Sequence, residues 1–307
     1  MRFSLEMSAR GFAAEAEATV AVAQAAERAG FAYLAYTEHP APDQKWRESS
    51  VGHATYDPFA ALAFVAAVTT RVRLMTYIAV LPFRNPLILA KTIATVDRLS
   101  GGRLTISTGA GYLRSEFAAL GVDYSQRGAR YDESLDVLHN VFEGPFSLHG
   151  KGFDAKDVVI DPPPIQRPHP PIWIGGSSPA SLRRVIRVGS GWAPGLDVAG
   201  MSQVASGTTA LASLDEVATA VAGLHGMLEA VGRDPADVAI QLDFLIGMGQ
   251  PADQILERIT AAEQAGVTHL LVRPRGRSLD EMAAAVQKFG TEVIDQCTPA
   301  DARSGRC

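Results

Sequence analysis

Cysteine is scarce: the 307 residues hold two, Cys297 and Cys307, both close to the C-terminus. Their spacing matches neither a metal-ligand nor a thiol-redox pattern, so both read as incidental thiols. The seven histidines are scattered, with no HExxH and no paired spacing, and no metal site is expected. Long apolar runs are missing as well. The longest, about Phe59 to Val68, falls far short of a membrane span, and Glu6 interrupts the apolar N-terminus where a signal peptide needs its core. The chain is therefore expected to stay in the cytoplasm with no membrane partner. Clustered basic charge is also lacking. A formal net charge of −5 leaves no footprint for nucleic acid. What remains is a small-molecule partner.

What is present is ordinary globular composition, 47% hydrophobic and 20% charged, enough to bury a large core. Strand-like and helix-like patterns alternate throughout, the signature of a parallel sheet built by crossovers. Strands are expected at Arg2 to Met7, Phe31 to Tyr36, Val72 to Val80, Arg103 to Thr108, Pro171 to Ile174, Ser190 to Pro194, Val238 to Ile246 and Val267 to Val272. Gly30 caps the first helix, and Asp57-Pro58, Asn85-Pro86 and Ser178-Pro179 each pair an N-cap with proline at the first helical position. Eight strands predict a single (β/α)8 TIM barrel over 1–298. The chain exceeds the ~250 residues typical of that fold, and the surplus lies in an insertion of about 143–170 between strands four and five. Proline keeps Asp161-Pro-Pro-Pro164 and Arg167-Pro-His-Pro-Pro171 out of helix and central strand. Residues 299–307 read as a C-terminal tail.

In such barrels the chemistry sits on the loops that follow the strands. Candidates are Glu38-His39 after strand two, Pro82-Phe83-Arg84 after strand three, Gly109-Ala110-Gly111-Tyr112 after strand four and Gly175-Gly176-Ser177-Ser178 after strand five. The last two are glycine-rich turns into helices, where free backbone N–H groups and the helix dipole favour a phosphate. Ser177 and Ser178 add hydroxyl donors, one of which must cap the helix. Trp46, Tyr56, Phe83, Tyr112 and Trp192 follow strand ends and form either a pocket wall or core. Arg273, Arg275 and Arg277 meet either an anionic cofactor tail or solvent. Asp97 to Arg103 lies on the opposite face, where a turn and an ion pair are expected.

Ala90 to Leu104, Ser107 to Phe117 and Gln166 to Ser181 carry a resemblance to the bacterial luciferase-like monooxygenase superfamily, within it the branch of probable coenzyme F420-dependent oxidoreductases. The resemblance implies a cofactor ring in the barrel mouth, its phosphate on the two glycine turns, and a non-proline cis peptide at Tyr77-Ile78 that bulges against the ring. It also implies that Glu38-His39 is the acidic-histidine pair of the deazaflavin enzymes. His39 would then exchange the proton that accompanies hydride transfer, and Glu38 would bond the ring or orient His39. Sugar-phosphate dehydrogenase relatives carry a carboxylate near the position of Tyr112, whose absence here speaks against that activity. Family members are expected to form homodimers. Coenzyme F420 is the leading cofactor. FMN, in a monooxygenase using oxygen, is the alternative enzyme, and a non-catalytic barrel of the same superfamily is the third reading.

Overall fold

In the computed structural model the described residues are all except 8, 10, 50–51, 151–152, 197–209, 244 and 298–307. The expected tail at 299–307 and Cys307 lie outside the described residues. Eight parallel strands close a barrel: β1 (Arg2–Glu6), β2 (Tyr33–Tyr36), β3 (Arg73–Val80), β4 (Leu104–Gly109), β7 (Ile172–Gly175), β8 (Gly191–Ala193), β9 (Ala239–Leu242) and β10 (His269–Val272). The remaining two, β5 (Phe146–Gly150) and β6 (Phe153–Val158), form an antiparallel hairpin inside the insertion. The sequence reading found only its proline-rich flank.

Several helices begin where the sequence caps them. Asp57 accepts the N–H groups of Phe59 and Ala60 at the start of α3 (Pro58–Ala66), and Asn85 accepts those of Leu87 and Ile88 at the start of α4 (Pro86–Leu99). Gly30, at φ 87°, ends α1 (Ala16–Ala29) in the left-handed region that only glycine enters freely. After β4 the chain forms two helices, α5 (Arg114–Ala119) and α6 (Arg127–Asn140), separated by a short turn of 3-10 helix.

Strand alternation sorts the core into two layers. In β2, Tyr33 and Ala35 face the barrel interior with Met75, Tyr77, Trp173, Ala193 and Leu271, whereas Leu34 and Tyr36 join the larger layer beneath the helices. In β3 the register against β4 shifts between Thr76 and Ala79, so Tyr77 faces inward while Ala79 faces the helices. The Tyr77-Ile78 peptide within this shift is cis, as the resemblance implied, and the bonds before Pro162 and Pro168 are cis as well.

At the lower face the turn appears as expected, with Gly101 and Gly102 at positive φ. The ion pair does not. Asp97 is fully buried and accepts the backbone N–H groups of Ile165 (2.7 Å) and Gln166 (3.0 Å) and the Gln166 amide (2.7 Å). Arg103 instead donates to the carbonyls of Ala66, Thr69, Val72 and Ser100. Each charge meets a cluster of backbone groups left unpaired by a turn or helix end, which satisfies more partners than one ion pair would.

Candidate functional site

The mouth of the barrel is lined by the ends of β2, β3, β4 and β7. His39 leaves β2 with its backbone fixed on Thr55: its N–H donates to the Thr55 hydroxyl (3.2 Å), which donates back to the His39 carbonyl (3.1 Å). The imidazole stacks on Trp46, with ring centroids 4.0 Å apart. Trp46 is held there by a short helix, α2 (Gln44–Arg47), whose cap Asp43 accepts the Trp46 N–H. Trp46 is thus buried against the His39 ring.

Nδ1 of His39 lies 3.0 Å from Oε2 of Glu116, and the other oxygen of that carboxylate accepts the Ala41 N–H at 3.2 Å. The Glu116 side chain is 2% exposed, and among the described residues its only ion-pair partner is His39. A carboxylate only accepts, so Nδ1 carries the proton and Nε2 is the atom free to take or give one. Nε2 faces the Tyr112 hydroxyl at 3.4 Å. Burial pushes the Tyr112 phenol up to about 12, so the hydroxyl stays neutral in any ordinary buffer.

Glu116 is the residue that sequence reasoning missed. It stands within the stretch that carries the resemblance, four residues beyond Tyr112, and α5 returns it to the mouth. Position 112 itself holds no carboxylate, but Glu116 brings one beside the Tyr112 and His39 side chains. Glu116, rather than Glu38, is the carboxylate that lies against the His39 ring. Glu38 is buried, accepts the Val80 N–H at 2.6 Å and pairs with Arg84, which in turn reaches Asp57 at 2.7 Å. Burial raises its carboxyl, against the opposing pull of Arg84 and the Val80 N–H. It ties the end of β2 to the end of β3.

The two glycine turns sit side by side, because β4 pairs with β7 and Thr108 lies opposite Ile174. A methyl group on Gly175 would stand 2.4 Å from the tip of the Ile78 side chain and 3.1 Å from the Thr108 carbonyl, so a larger residue would have to displace Ile78 from the bulge. Gly111 and Gly176 have φ of 77° and 91°. Ala110 lies between Gly109 and Gly111 on the same turn. Ser178 is the cap of α7 (Pro179–Val188), accepting the Ser181 N–H. That leaves the Ser177 hydroxyl, buried and without a hydrogen-bond partner among the described residues, at the N-terminus of a ten-residue helix. An unpaired donor beside a helix start fits a phosphate oxygen.

Three aromatic candidates take other places. Trp192 is 1% exposed and its indole N–H donates to the Gly176 carbonyl at 2.9 Å, bracing the turn from behind rather than lining a pocket. Tyr56 donates to the Ala14 carbonyl and packs on the core. Phe83 packs edge-on against Phe117 at 4.8 Å. Arg273 pairs with Glu6 at 2.9 Å, whereas Arg275 and Arg277 are exposed. At this corner Asp243, after β9, has its carboxyl pushed up to about 7, mainly by burial, with Glu6 adding to the rise and Arg273 opposing it. No group of three His, Cys, Asp or Glu side chains gathers as a metal set among the described residues. None of their helices is long and apolar enough to cross a membrane.

The FMNH2-dependent dimethylsulfone monooxygenase of Pseudomonas putida is 31% identical over 179 residues, covering 56% of this chain and 46% of that protein's own length. Among solved structures, monooxygenase RslO1 from Streptomyces bottropensis superposes with a TM-score of 0.77 at 21% identity, over 97% of this chain and 100% of that one. The coenzyme F420-dependent tetrahydromethanopterin reductase of Methanopyrus kandleri superposes at 0.75 and 18% identity, over 97% and 99%. The pattern of the luciferase-like monooxygenase family matches residues 2–267. With that match spanning most of the chain and the closed barrel beneath it, the protein belongs to the luciferase-like monooxygenase family.

Proposed function

We propose that this chain is a coenzyme F420-dependent oxidoreductase that moves a hydride between the deazaflavin and a small organic substrate. The observation that carries the proposal is the His39–Glu116 pair, which leaves Nε2 as a proton-exchanging atom at the mouth. Interconverting an alcohol and a carbonyl needs such an atom, because each hydride moved to or from carbon is matched by a proton on oxygen.

The deazaflavin, when bound, supplies or accepts the hydride. The chain supplies position and the proton. Gly109 to Tyr112 and Gly175 to Ser178 would hold the phosphate, with Ser177 donating its unpaired hydroxyl. Tyr77 and Ile78 would back the ring, and Trp46 with Tyr112 would wall the space in which His39 meets substrate.

A second reading, an FMN-dependent monooxygenase, draws support from the Pseudomonas putida relative. Titrating the apo-protein with each cofactor separates the two. The deazaflavin is expected to bind at least about tenfold tighter than FMN, roughly 1.4 kcal/mol. Tighter FMN binding selects the second reading. His39→Asn then tests the proton role: turnover should fall by roughly 10²–10⁴ while cofactor affinity holds. Unchanged turnover removes His39 from the mechanism.

A further inference from the structure

We propose that the opposite, N-terminal end of the barrel is a second ligand site, built for a small hydroxyaromatic carboxylate. β/α barrels ordinarily fill this end with packed side chains. Here a cavity of about 780 Å³ opens there, lined by Arg2, Tyr33, Arg73, Trp173, Ala239 and His269 among others. Ala239, the first residue of β9, lines it, and Gly191, the first residue of β8, lies so close to Trp173 that a methyl group would stand 2.4 Å from the indole.

His269 gives the cavity its chemistry. It is 4% exposed and lines the space, and its Nδ1 lies 2.7 Å from the Thr268 hydroxyl. Its Nε2 is buried with no hydrogen-bond partner among the described residues. The Thr268 hydroxyl can donate to Nδ1 or accept from it, so Nε2 is either an unmatched N–H or an unmatched lone pair. A hydroxyl satisfies both cases, since it donates and accepts. Burial together with the Arg2 charge pushes the imidazole down to about 3, so the ring is neutral and offers hydrogen bonding rather than charge.

The rings of Tyr33 and Trp173 stand 5.7 and 5.0 Å from the imidazole, an aromatic floor suited to a flat ligand. Charge comes from Arg2 and Arg73, neither of which has a carboxylate partner among the described residues. Of the acids on the rim, Glu263 is taken by the chain's terminal ammonium at 3.0 Å and Asp237 is exposed. A ligand carboxylate is therefore drawn to the arginine side while its hydroxyl meets Nε2. This site lies at the start of β10, whereas His39 follows the end of β2, so the two sites occupy opposite ends of the barrel.

The test is calorimetric titration of the full chain with 4-hydroxybenzoate and 3-hydroxybenzoate, with phenol and benzoate as the partial ligands. One of the hydroxybenzoates should bind saturably below millimolar concentration, about tenfold or more tighter than either partial ligand. Arg2→Gln should erase the advantage over phenol, and His269→Phe the advantage over benzoate. FMN-induced thermal stabilisation should be unchanged in both variants. Should His269→Phe fail to fold, Arg2→Gln, an exposed position, carries the test. Absence of saturable binding by both hydroxybenzoates, binding unaffected by Arg2→Gln, or crystals soaked in them that hold only water in the cavity would each overturn the proposal.

Discussion

Glu116 holds His39 by Nδ1 at 3.0 Å, and in doing so decides which nitrogen is available for chemistry. Glu116→Gln keeps the size of the side chain but can present its amide N–H₂ to Nδ1, favouring the wrong tautomer. Turnover is expected to fall roughly 10–10²-fold with cofactor affinity within about threefold of wild type. Equal losses of turnover and affinity would mean that Glu116 shapes the cofactor pocket instead.

Ser177→Ala separates binding from folding. The hydroxyl has no partner to lose, so the melting temperature should stay within a degree or two. A hydrogen bond to a charged phosphate contributes about 1.5–3 kcal/mol, so cofactor affinity should drop roughly ten- to hundredfold. Unchanged affinity would move the phosphate off this turn.

Asp243 makes stability fall as pH rises. Its carboxyl is raised from 3.8 to about 7 in the folded state, mainly by burial. The native protein therefore holds this proton more tightly than the unfolded chain. Its contribution is full below pH about 4 and is lost progressively up to about 7. Glu6, Arg273 and Tyr77 share the corner, and Asp243→Asn removes the titration without removing the shape. The variant should gain more thermal stability at pH 8 than at pH 5. An equal effect at both would place the carboxyl in ordinary solvent.

Arg103 fastens the C-terminal end of α3 to the start of β4 through carbonyls of Ala66, Thr69 and Val72. Arg103→Leu strands these acceptors and is expected to cost about 2–4 kcal/mol in chemical denaturation. A loss below about 0.5 kcal/mol would show that water replaces the guanidinium.

The barrel was legible in the sequence because several helix starts carried their own punctuation. Asp57-Pro58 and Asn85-Pro86 cap as their chemistry demands, whatever surrounds them. The turns at Gly109 and Gly175 were legible for the same local reason. What local pattern could not disclose were pairings across the fold. Glu116 meets His39 over 77 positions and Arg84 meets Glu38 over 46, and nothing in either neighbourhood names the partner. Trp192 was expected in a pocket wall, but it lies within β8. Its side chain joins the layer beneath the helices, where its indole N–H donates to the Gly176 carbonyl. The β5–β6 hairpin was hidden by the prolines beside it.

Asp97 grips the chain at Ile165 and Gln166, and β7 begins at Ile172. The few residues between them include Pro168, Pro170 and Pro171, whose fixed φ leaves little slack. β7 is thus a short strut clamped at one end of the barrel, with Gly175 to Ser178 at its far tip. Loosening the clamp with Asp97→Ala would be felt as play at that tip, a whole strand-length from the substituted atom. The end of the insertion, held by Asp97, acts as the mounting bracket of that strut.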